Sequence, residues 1–167
     1  RKAVLELRKL IEDVDGEIAI ELSETKLRFS FDDTVLTTKL IDGTFPDYER
    51  VIPTGNDKTL EVNCKTFAEA VDRVATISTE KSRSIKLALA NGTLTLTASS
   101  PENGTATEEL EVSYGAGDME IGFNSRYLLD IAGQIEGDGA IFSLADSASP
   151  TIVRDQDDDS ALYVLMP

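Results

Sequence analysis

Histidine is absent from the 167 residues, and cysteine occurs only once, at Cys64. The absence of histidine removes the commonest general base and the commonest metal ligand. A single cysteine cannot form an internal disulfide, and its place in LEVNCKTF indicates a buried small residue rather than a reactive thiol. The sequence contains no apolar run of membrane-spanning length and no signal-like N-terminus. We therefore predict a cytoplasmic protein that does not enter a membrane.

Positive charge is also scarce, because 16 Lys and Arg stand against 31 Asp and Glu, for a net charge of −15. Such a balance taken alone argues against nucleic acid as a partner. The charge is unevenly spread, since residues 1–13 hold four of the cations and three of the acids. A helix is predicted over these first residues, and its apolar arc consists of Val4, Leu7, Leu10 and Ile11. The opposite side of the helix is basic and is interrupted by Glu12.

The chain repeats one unit three times, with Ile11, Ile77 and Ile135 in equivalent places about sixty residues apart. Each unit reads as strand, helix and three strands, and the first copy lacks its opening strand, which we interpret as a chain that starts mid-domain at Arg1. Helices are predicted up to residue 11, over 65–78 and over 125–135. Strands are predicted at EIAIEL, KLRFSF, VLTTKL, TLEVNC, SIKLALA, TLTLTA, TEELEVSY, DMEIGFN, AIFSLA, TIVR and ALYVLMP. Antiparallel strands with helices on one face form an α+β fold.

Several motifs suggest chemistry but fit simpler structures better. RDQDDDSALY begins like a calcium loop, yet Ser160 replaces the required glycine and Met166 the bidentate glutamate, which favours a solvated acidic loop. The two NGT sequences, at Asn91 and Asn103, match a glycosylation acceptor but are more simply turns. The neighbouring acids Asp32 and Asp33 have no partner base, and no phosphate loop, nucleophile elbow or zinc spacing is present. We predict no catalytic residue, no metal site and no cofactor.

Two apolar stretches have no such simple explanation. KLIDGTFPDYERVIP carries Phe45, Tyr48 and Val51 on a connection that Pro46 bends. At the chain end, ALYVLMP is apolar without alternation, as expected for a strand that is covered on both faces or keeps one face for a partner.

These stretches also carry a resemblance. LIDGTFPDYERVIP, MEIGFNSRYLLDI and the ending ALYVLMP, in this order and spacing, resemble the bacterial sliding clamps, the β subunits of DNA polymerase III. The resemblance covers essentially the whole chain. It implies the DNA-clamp fold, with sheets outside and helices lining a hole. Residues 1–52 would be the second half of the middle domain, and 53–167 the C-terminal domain.

The resemblance further implies a non-catalytic processivity factor that encircles duplex DNA and docks linear peptides of replicative polymerases, clamp loader and repair proteins. The groove for these peptides would include Pro46, Arg50, Val51, Tyr127, Val164, Leu165, Met166 and Pro167. The cations that face DNA would be Arg1, Lys2, Arg8, Lys9, Lys65, Arg73 and Arg126. The intact subunit would be a homodimer, with Thr76, Ile77 and Lys81 at the subunit interface.

Two other function classes remain open from the residues alone. The NGT sequences and acidic loops are compatible with a non-catalytic binding module of extracellular type. The carboxylates are compatible with an enzyme that uses a metal. A secretory signal upstream would favour the first alternative, and a large thermal shift on calcium or magnesium titration would favour the second.

Overall fold

A computed structural model describes residues 2–44, 47–78 and 83–167, and the chain divides into two compact units. Unit 1 is Arg1–Pro46 and unit 2 is Asp47–Pro167. The domain boundary predicted at residues 52/53 lies a few residues further along the chain and stays a prediction. None of the helices in the described ranges combines the length and the apolar composition that a membrane-spanning helix needs.

The described residues of unit 1 form one helix followed by an antiparallel meander. The helix is α1 (Lys2–Leu10), and the strands are β1 (Ala19–Leu22), β2 (Lys26–Phe31) and β3 (Thr34–Lys39), in the order β1-β2-β3. The hairpin turn between β2 and β3 consists of Asp32 and Asp33, and Asp32 adopts a φ of 45°. Both aspartates are exposed, as expected for adjacent acids on a hairpin tip.

The unit 1 sheet has one apolar and one polar face. Ile20 pairs with Phe29, and Phe29 pairs with Leu36, so that the three side chains share a face. On the opposite face Glu21 pairs with Arg28, and the two side chains form an ion pair at 3.3 Å. Phe29 is buried within the apolar face, while Ile20 on the edge strand is 63% exposed.

Unit 2 contains two helices, nine strands and a short 3₁₀ turn at Tyr48–Val51 among its described residues. The helices are α2 (Cys64–Ala75) and α3 (Ser125–Ala132). The strands are β4 (Lys58–Asn63), β5 (Ser84–Ala90), β6 (Thr93–Ser100), β7 (Gly104–Glu111), β8 (Ser113–Tyr114), β9 (Met119–Asn124), β10 (Gly139–Leu144), β11 (Thr151–Asp155) and β12 (Tyr163–Leu165). The predicted turn Asn91-Gly92 joins β5 and β6, and both residues have positive φ, as a two-residue hairpin requires.

Two copies of the repeat exchange their opening strands in unit 2. The second copy begins with β4, which pairs with β10 of the third copy. The third copy begins with β9, which pairs with β5 of the second copy. The resulting sheets have the orders β12-β11-β10-β4-β8 and β7-β6-β5-β9, and every pair is antiparallel. The predicted α+β class and the strand–helix–three-strand order are confirmed.

The core of unit 2 lies where both sheets meet α2 and α3. Phe67 of α2 is 1% exposed and packs edge-on against Phe142 of β10, with ring centroids 5.3 Å apart. Cys64 is buried as predicted, and burial raises the pKa of its thiol. Ala70 belongs to the buried face of α2, whereas Ala75 at its end is only partly buried.

Three sequence predictions need correction in detail. TEELEVSY forms two strands instead of one, because the N–H of Val112 donates to Gly92 O (2.9 Å) and the chain then crosses from one sheet to the other. Helix α3 ends at Ala132 and not near residue 135. Directly after its end, the N–H of Gly133 donates a hydrogen bond to Leu129 O at 2.9 Å. The apolar arc of α1, unlike the apolar faces of α2 and α3, includes no buried residue between Lys2 and Leu10.

Candidate functional site

An open apolar cavity of about 500 Å³ lies between α3 and the chain end. Helix α3 contributes side chains one turn apart, and β12 with its flanking residues contributes the rest. The lining residues are Tyr127, Asp130, Ile131, Leu162, Tyr163, Val164, Leu165 and Met166. Tyr127 and Met166 are 54% and 62% exposed, which is unusual for side chains of this size.

The local structure explains why these side chains stay accessible. Among the strands that the structure describes, β12 is an edge strand whose one partner is β11, through Ile152↔Val164 and its neighbours. Leu165 points into the core and is 4% exposed, so it anchors the strand. Met166 follows the strand and has no such cover. Helix α3 is held at its start by the Asn124 side chain, which accepts a hydrogen bond from Arg126 N at 3.0 Å.

The predicted groove residues Tyr127, Val164, Leu165 and Met166 are therefore brought together by the fold. Pro167 follows them and is exposed but does not line this cavity. Pro46 lies outside the described residues. The sequence prediction missed Asp130, Ile131, Leu162 and Tyr163, although the i, i+3, i+4 spacing from Tyr127 was a signal for the two helical residues.

The remaining loop residues, Arg50 and Val51, lie on the 3₁₀ turn and are not among the lining residues of the cavity. Val51 is 55% exposed, and the Arg50 guanidinium is paired with Asp47 at 3.0 Å. This loop leads into β4 and is tied to the connection between β10 and β11. Asn56 Nδ2 donates to Ser143 O (2.7 Å) and to Pro150 O (3.0 Å).

Strand register places this loop and the chain end at one end of the same sheet. Lys58 at the start of β4 pairs with Leu144 at the end of β10, and Thr151 at the start of β11 pairs with Leu165. Lys58 Nζ also donates to Ala145 O at 2.7 Å. Because β10 and β11 separate β4 from β12, strands β4 and β12 are roughly 14 Å apart.

The cations predicted to face DNA differ in how free they are. Arg1 is outside the described residues. Lys2, Arg8 and Lys9 are exposed on α1, where Lys9 pairs with Glu6 at 3.2 Å. Lys65 is exposed at the start of α2.

The other two cations that were predicted to face DNA, Arg73 and Arg126, contact carboxylates. Arg73 Nε donates to Glu108 Oε2 at 3.1 Å, which links α2 to β7 and lowers the pKa of the glutamate. Arg126 Nε lies 3.9 Å from Asp130 Oδ2. The positive charge of each of these arginines is therefore partly neutralised by a neighbouring carboxylate.

Two of the residues predicted at a subunit interface, Thr76 and Ile77, directly follow α2. Thr76 is exposed, and its hydroxyl donates to Asp72 O at 3.1 Å. Ile77 is partly buried against the core, and its carbonyl accepts a hydrogen bond from Asn103 Nδ2 at 3.1 Å. Lys81 lies outside the described residues.

The acidic loop after β11 uses its carboxylates internally. Asp155 accepts hydrogen bonds from the N–H groups of Asp157 and Gly137, both at 2.9 Å, and these bonds lower its pKa. Asp158 accepts from Ser160 N at 2.8 Å. Within the described ranges, no three acidic or cysteine side chains are grouped closely enough to hold a metal ion.

Comparison with known proteins assigns the family. The family model described as DNA polymerase III beta subunit, C-terminal domain, matches residues 49–167, and the model of the central domain matches residues 1–47. The beta sliding clamp of Caulobacter vibrioides is 53% identical over all 167 residues, and that of Pseudomonas aeruginosa is 44% identical over the same length. The chain spans 45% and 46% of these two relatives.

Solved structures agree with the sequence relatives. A sliding clamp from Bartonella birtlesii bound to griselimycin has 53% identity and a TM-score of 0.83, covering 99% of this chain and 45% of that one. The Pseudomonas aeruginosa beta subunit has 44% identity and a TM-score of 0.82, covering 100% and 46%. The chain thus belongs to the family of DNA polymerase III beta subunits, the bacterial beta sliding clamps.

Proposed function

We propose that the chain is part of a DNA sliding clamp, a non-catalytic subunit that gives a bacterial replicative polymerase its processivity. In this function it contributes to a ring around duplex DNA and docks short linear peptides of polymerases, clamp loader and repair proteins. The observation that carries the proposal is the exposed apolar cavity between α3 and the chain end of a clamp-family protein. The protein would act in the cytoplasm, where a bacterial replicative clamp meets DNA.

The cavity suits a linear peptide better than a small polar ligand. Its apolar lining and accessible rims favour anchoring by a few apolar side chains. Tyr127 and Met166 would form the two walls, and Val164 with Leu165 the floor. Pro46, Arg50, Val51 and Pro167 would extend the groove, a role supported by the loop anchoring at Asn56 and by the shared sheet end.

Contact with DNA would be loose and without base readout, which is what sliding requires. The exposed side of α1 supports this role best, because Lys2, Arg8 and Lys9 are exposed there and, among the described residues, only Lys9 of the three forms an ion pair, with Glu6. Arg1 would add to the same group. Lys65, Arg73 and Arg126 would contribute less, since two of the three already contact carboxylates.

The intact subunit would form a homodimeric ring, with Thr76, Ile77 and Lys81 at its interface. In the longer protein, residues 1–52 would be the second half of the middle domain and 53–167 the C-terminal domain. Neither rival function has support of comparable strength. Nothing in the acidic loop favours a metal enzyme, because Asp155 and Asp158 hold the loop's own backbone.

Titration with a labelled linear peptide from a replicative polymerase tests the proposal. Met166→Ala should weaken peptide binding by about 1 kcal/mol or more, because it removes a groove wall. Met119→Ala is the matched control, since Met119 is the other methionine of the sequence and lies on β9, away from the cavity lining. Equal peptide affinity of the two variants would reject Met166 as an anchor, and no binding by the unaltered chain would reject the groove.

Griselimycin provides a second probe, because it is bound in the structures of two relatives, from Bartonella birtlesii and Pseudomonas aeruginosa. We expect it to bind this chain and to compete with the peptide. Simultaneous binding of both compounds would separate the griselimycin site from the cavity between α3 and β12.

A further inference from the structure

We propose that Asn56 is a positioning residue for peptide binding, because its side-chain amide holds the loop that carries Arg50 and Val51 onto the sheet that carries the chain end. This inference rests on the proposed function, since both parts belong to the proposed groove. We call residues 47–57 the groove loop. Asn56 and its hydrogen-bond partners lie within unit 2 and within the range 49–167 that the C-terminal-domain model matches.

The Asn56 side chain contacts both ends of the connection between β10 and β11. Its Nδ2 donates to Ser143 O at 2.7 Å, near the end of β10, and to Pro150 O at 3.0 Å, directly before β11. A side-chain amide nitrogen carries two hydrogens, so both of its donors are used. Asn56 is half-buried, and water would therefore replace these bonds only in part if the amide were removed.

The connection that accepts these bonds is itself held in place. The Asp146 carboxylate accepts a hydrogen bond from Ala148 N at 2.8 Å, within the connection. Lys58 Nζ donates to Ala145 O at 2.7 Å, which ties the start of β4 to the same connection. Asn56 therefore fastens the groove loop to a part of the sheet whose conformation is already fixed.

The same connection leads directly to the lining of the apolar cavity. Pro150, whose carbonyl accepts from Asn56, is followed by Thr151, which is fully buried and pairs with Leu165 of β12. Leu165 and Met166 line the cavity. The route from the Asn56 amide to the cavity thus consists of one hydrogen bond and one pair of strand residues.

The groove loop depends on this tie more than its other contacts suggest. Among the described residues, the hydrogen bond and the ion pair that Arg50 forms with Asp47 are both internal to the loop. Asn56 is the residue through which the loop side chains first bond to the sheet after the turn that ends at Val51. Without its amide the loop would have to be ordered when a peptide binds, which lowers affinity.

Asn63 provides a matched control for Asn56. It lies at the opposite end of β4, and its side chain also bonds to the backbone, since Oδ1 accepts from Thr66 N at 2.9 Å. Asn63 is not among the residues that line the apolar cavity. Its replacement by alanine removes a stabilising side-chain hydrogen bond from unit 2 but leaves the groove loop tied.

Titration of the 167-residue chain with a labelled linear peptide from a replicative polymerase tests the role of Asn56. We expect Asn56→Ala to raise the dissociation constant about fivefold, because the loop is no longer pre-ordered. Asn56→Asp should weaken binding at least as much, since a carboxylate of the same size cannot donate to the two carbonyls. Asn63→Ala should leave peptide affinity within about twofold of that of the unaltered chain, because the groove keeps its geometry.

A double-mutant cycle separates positioning from a general loss of stability. Val51→Ala should weaken peptide binding in the unaltered chain by a larger factor than in Asn56→Ala, where the loop is already released. Tyr127→Ala should weaken it by the same factor in both, because α3 is held by its own cap. Hydrogen exchange of the Arg50 amide, which donates to Asp47 O at 3.3 Å, should be faster in Asn56→Ala.

Three results would overturn the role of Asn56 while leaving the proposed groove intact. Asn56→Ala could bind the peptide as tightly as the unaltered chain. Asn63→Ala could weaken binding as much as Asn56→Ala, which would indicate a loss of stability only. Val51→Ala could have the same effect in both backgrounds. If the unaltered chain itself bound no peptide, the proposed function and the role of Asn56 would both be rejected.

Discussion

Units 1 and 2 contain the same helix-and-meander repeat, but they bury it to different extents. Helix α1 has no buried residue, whereas α2 buries Cys64, Phe67, Ala70, Val71 and Val74. Both helices are amphipathic, so the difference does not arise from the sequence pattern of the helix. It arises because α2 packs beside a second copy of the repeat, while the described residues of unit 1 provide α1 with a sheet of three strands.

This comparison indicates that the repeat is only half of a folding unit. Phe67 of the second copy packs on Phe142 of the third, and the opening strands are exchanged between the copies. Neither copy in unit 2 would retain its sheet or its core without the other. The stability of the chain should therefore be concentrated in unit 2.

The largest expected effect is the loss of the aromatic contact between the copies. Phe67→Ala should lower the free energy of unfolding of unit 2 by about 3–5 kcal/mol, because it leaves a cavity around a side chain that is 1% exposed. Urea denaturation followed by circular dichroism measures the change. A loss below about 1 kcal/mol would contradict the idea that this contact joins the two copies.

A matched pair of valines compares the two helices directly. Val71→Ala in α2 should cost roughly 2 kcal/mol, since Val71 is fully buried at 0% exposure. Val4→Ala in α1 should change stability by less than about 0.5 kcal/mol, because Val4 is 68% exposed. If both substitutions lowered the free energy of unfolding by similar amounts in the same denaturation experiment, the difference in burial between α1 and α2 would be contradicted.

Helix capping should contribute a smaller amount. The Asn63 side chain accepts a hydrogen bond from Thr66 N at 2.9 Å at the start of α2. Asn63→Ala should therefore destabilise unit 2 by about 1 kcal/mol, and Asn63→Asp should retain most of the stability. If alanine and aspartate destabilise the protein equally, the cap is not what Asn63 contributes.

Acid should weaken unit 2 in a defined direction. Hydrogen bonds lower the pKa of Asp155, Asp146 and Glu108, from Asp157 N, Ala148 N and the Arg73 guanidinium respectively. As the pH falls below the ordinary pKa values, 3.8 for aspartate and 4.5 for glutamate, these carboxylates become protonated in the unfolded chain while they are still ionised in the folded one. The stabilisation is thus complete above those values and is lost as the pH falls through the lower folded ones.

Denaturation at a series of acidic pH values measures this loss. Asp155→Asn should be less stable at neutral pH and should lose less stability on acidification. A stability curve with the same slope in both proteins would show that Asp155 does not contribute to the acid sensitivity.

Much of the local structure was predictable from the residues. The Asn91-Gly92 turn, the strand SIKLALA and the position of α2 within a few residues follow from turn chemistry and from hydrophobic periodicity. The break of TEELEVSY at Val112 was not predictable. Alternation continues through this position, and only the competition between two sheets interrupts it.

The candidate site was predictable in part. The apolar run at the chain end indicated a strand that is covered on both faces or keeps one face for a partner, and Tyr127 came from the family resemblance. The contribution of Asp130 and Ile131 depends on how α3 is rotated against β12, which packing decides. Asn56 had no signal beyond its place in a loop, because its two acceptors lie more than eighty residues away in sequence.

The sequence by itself determined the elements, the repeat and which faces are apolar, because these depend on spacing along the chain. Only the tertiary structure decided that opening strands are exchanged between copies, and that helix α3 and the chain end enclose one apolar cavity. It also decided that Arg73 is paired with Glu108 instead of free. Such features depend on contacts between distant residues, and the local pattern is the same whether or not those contacts form.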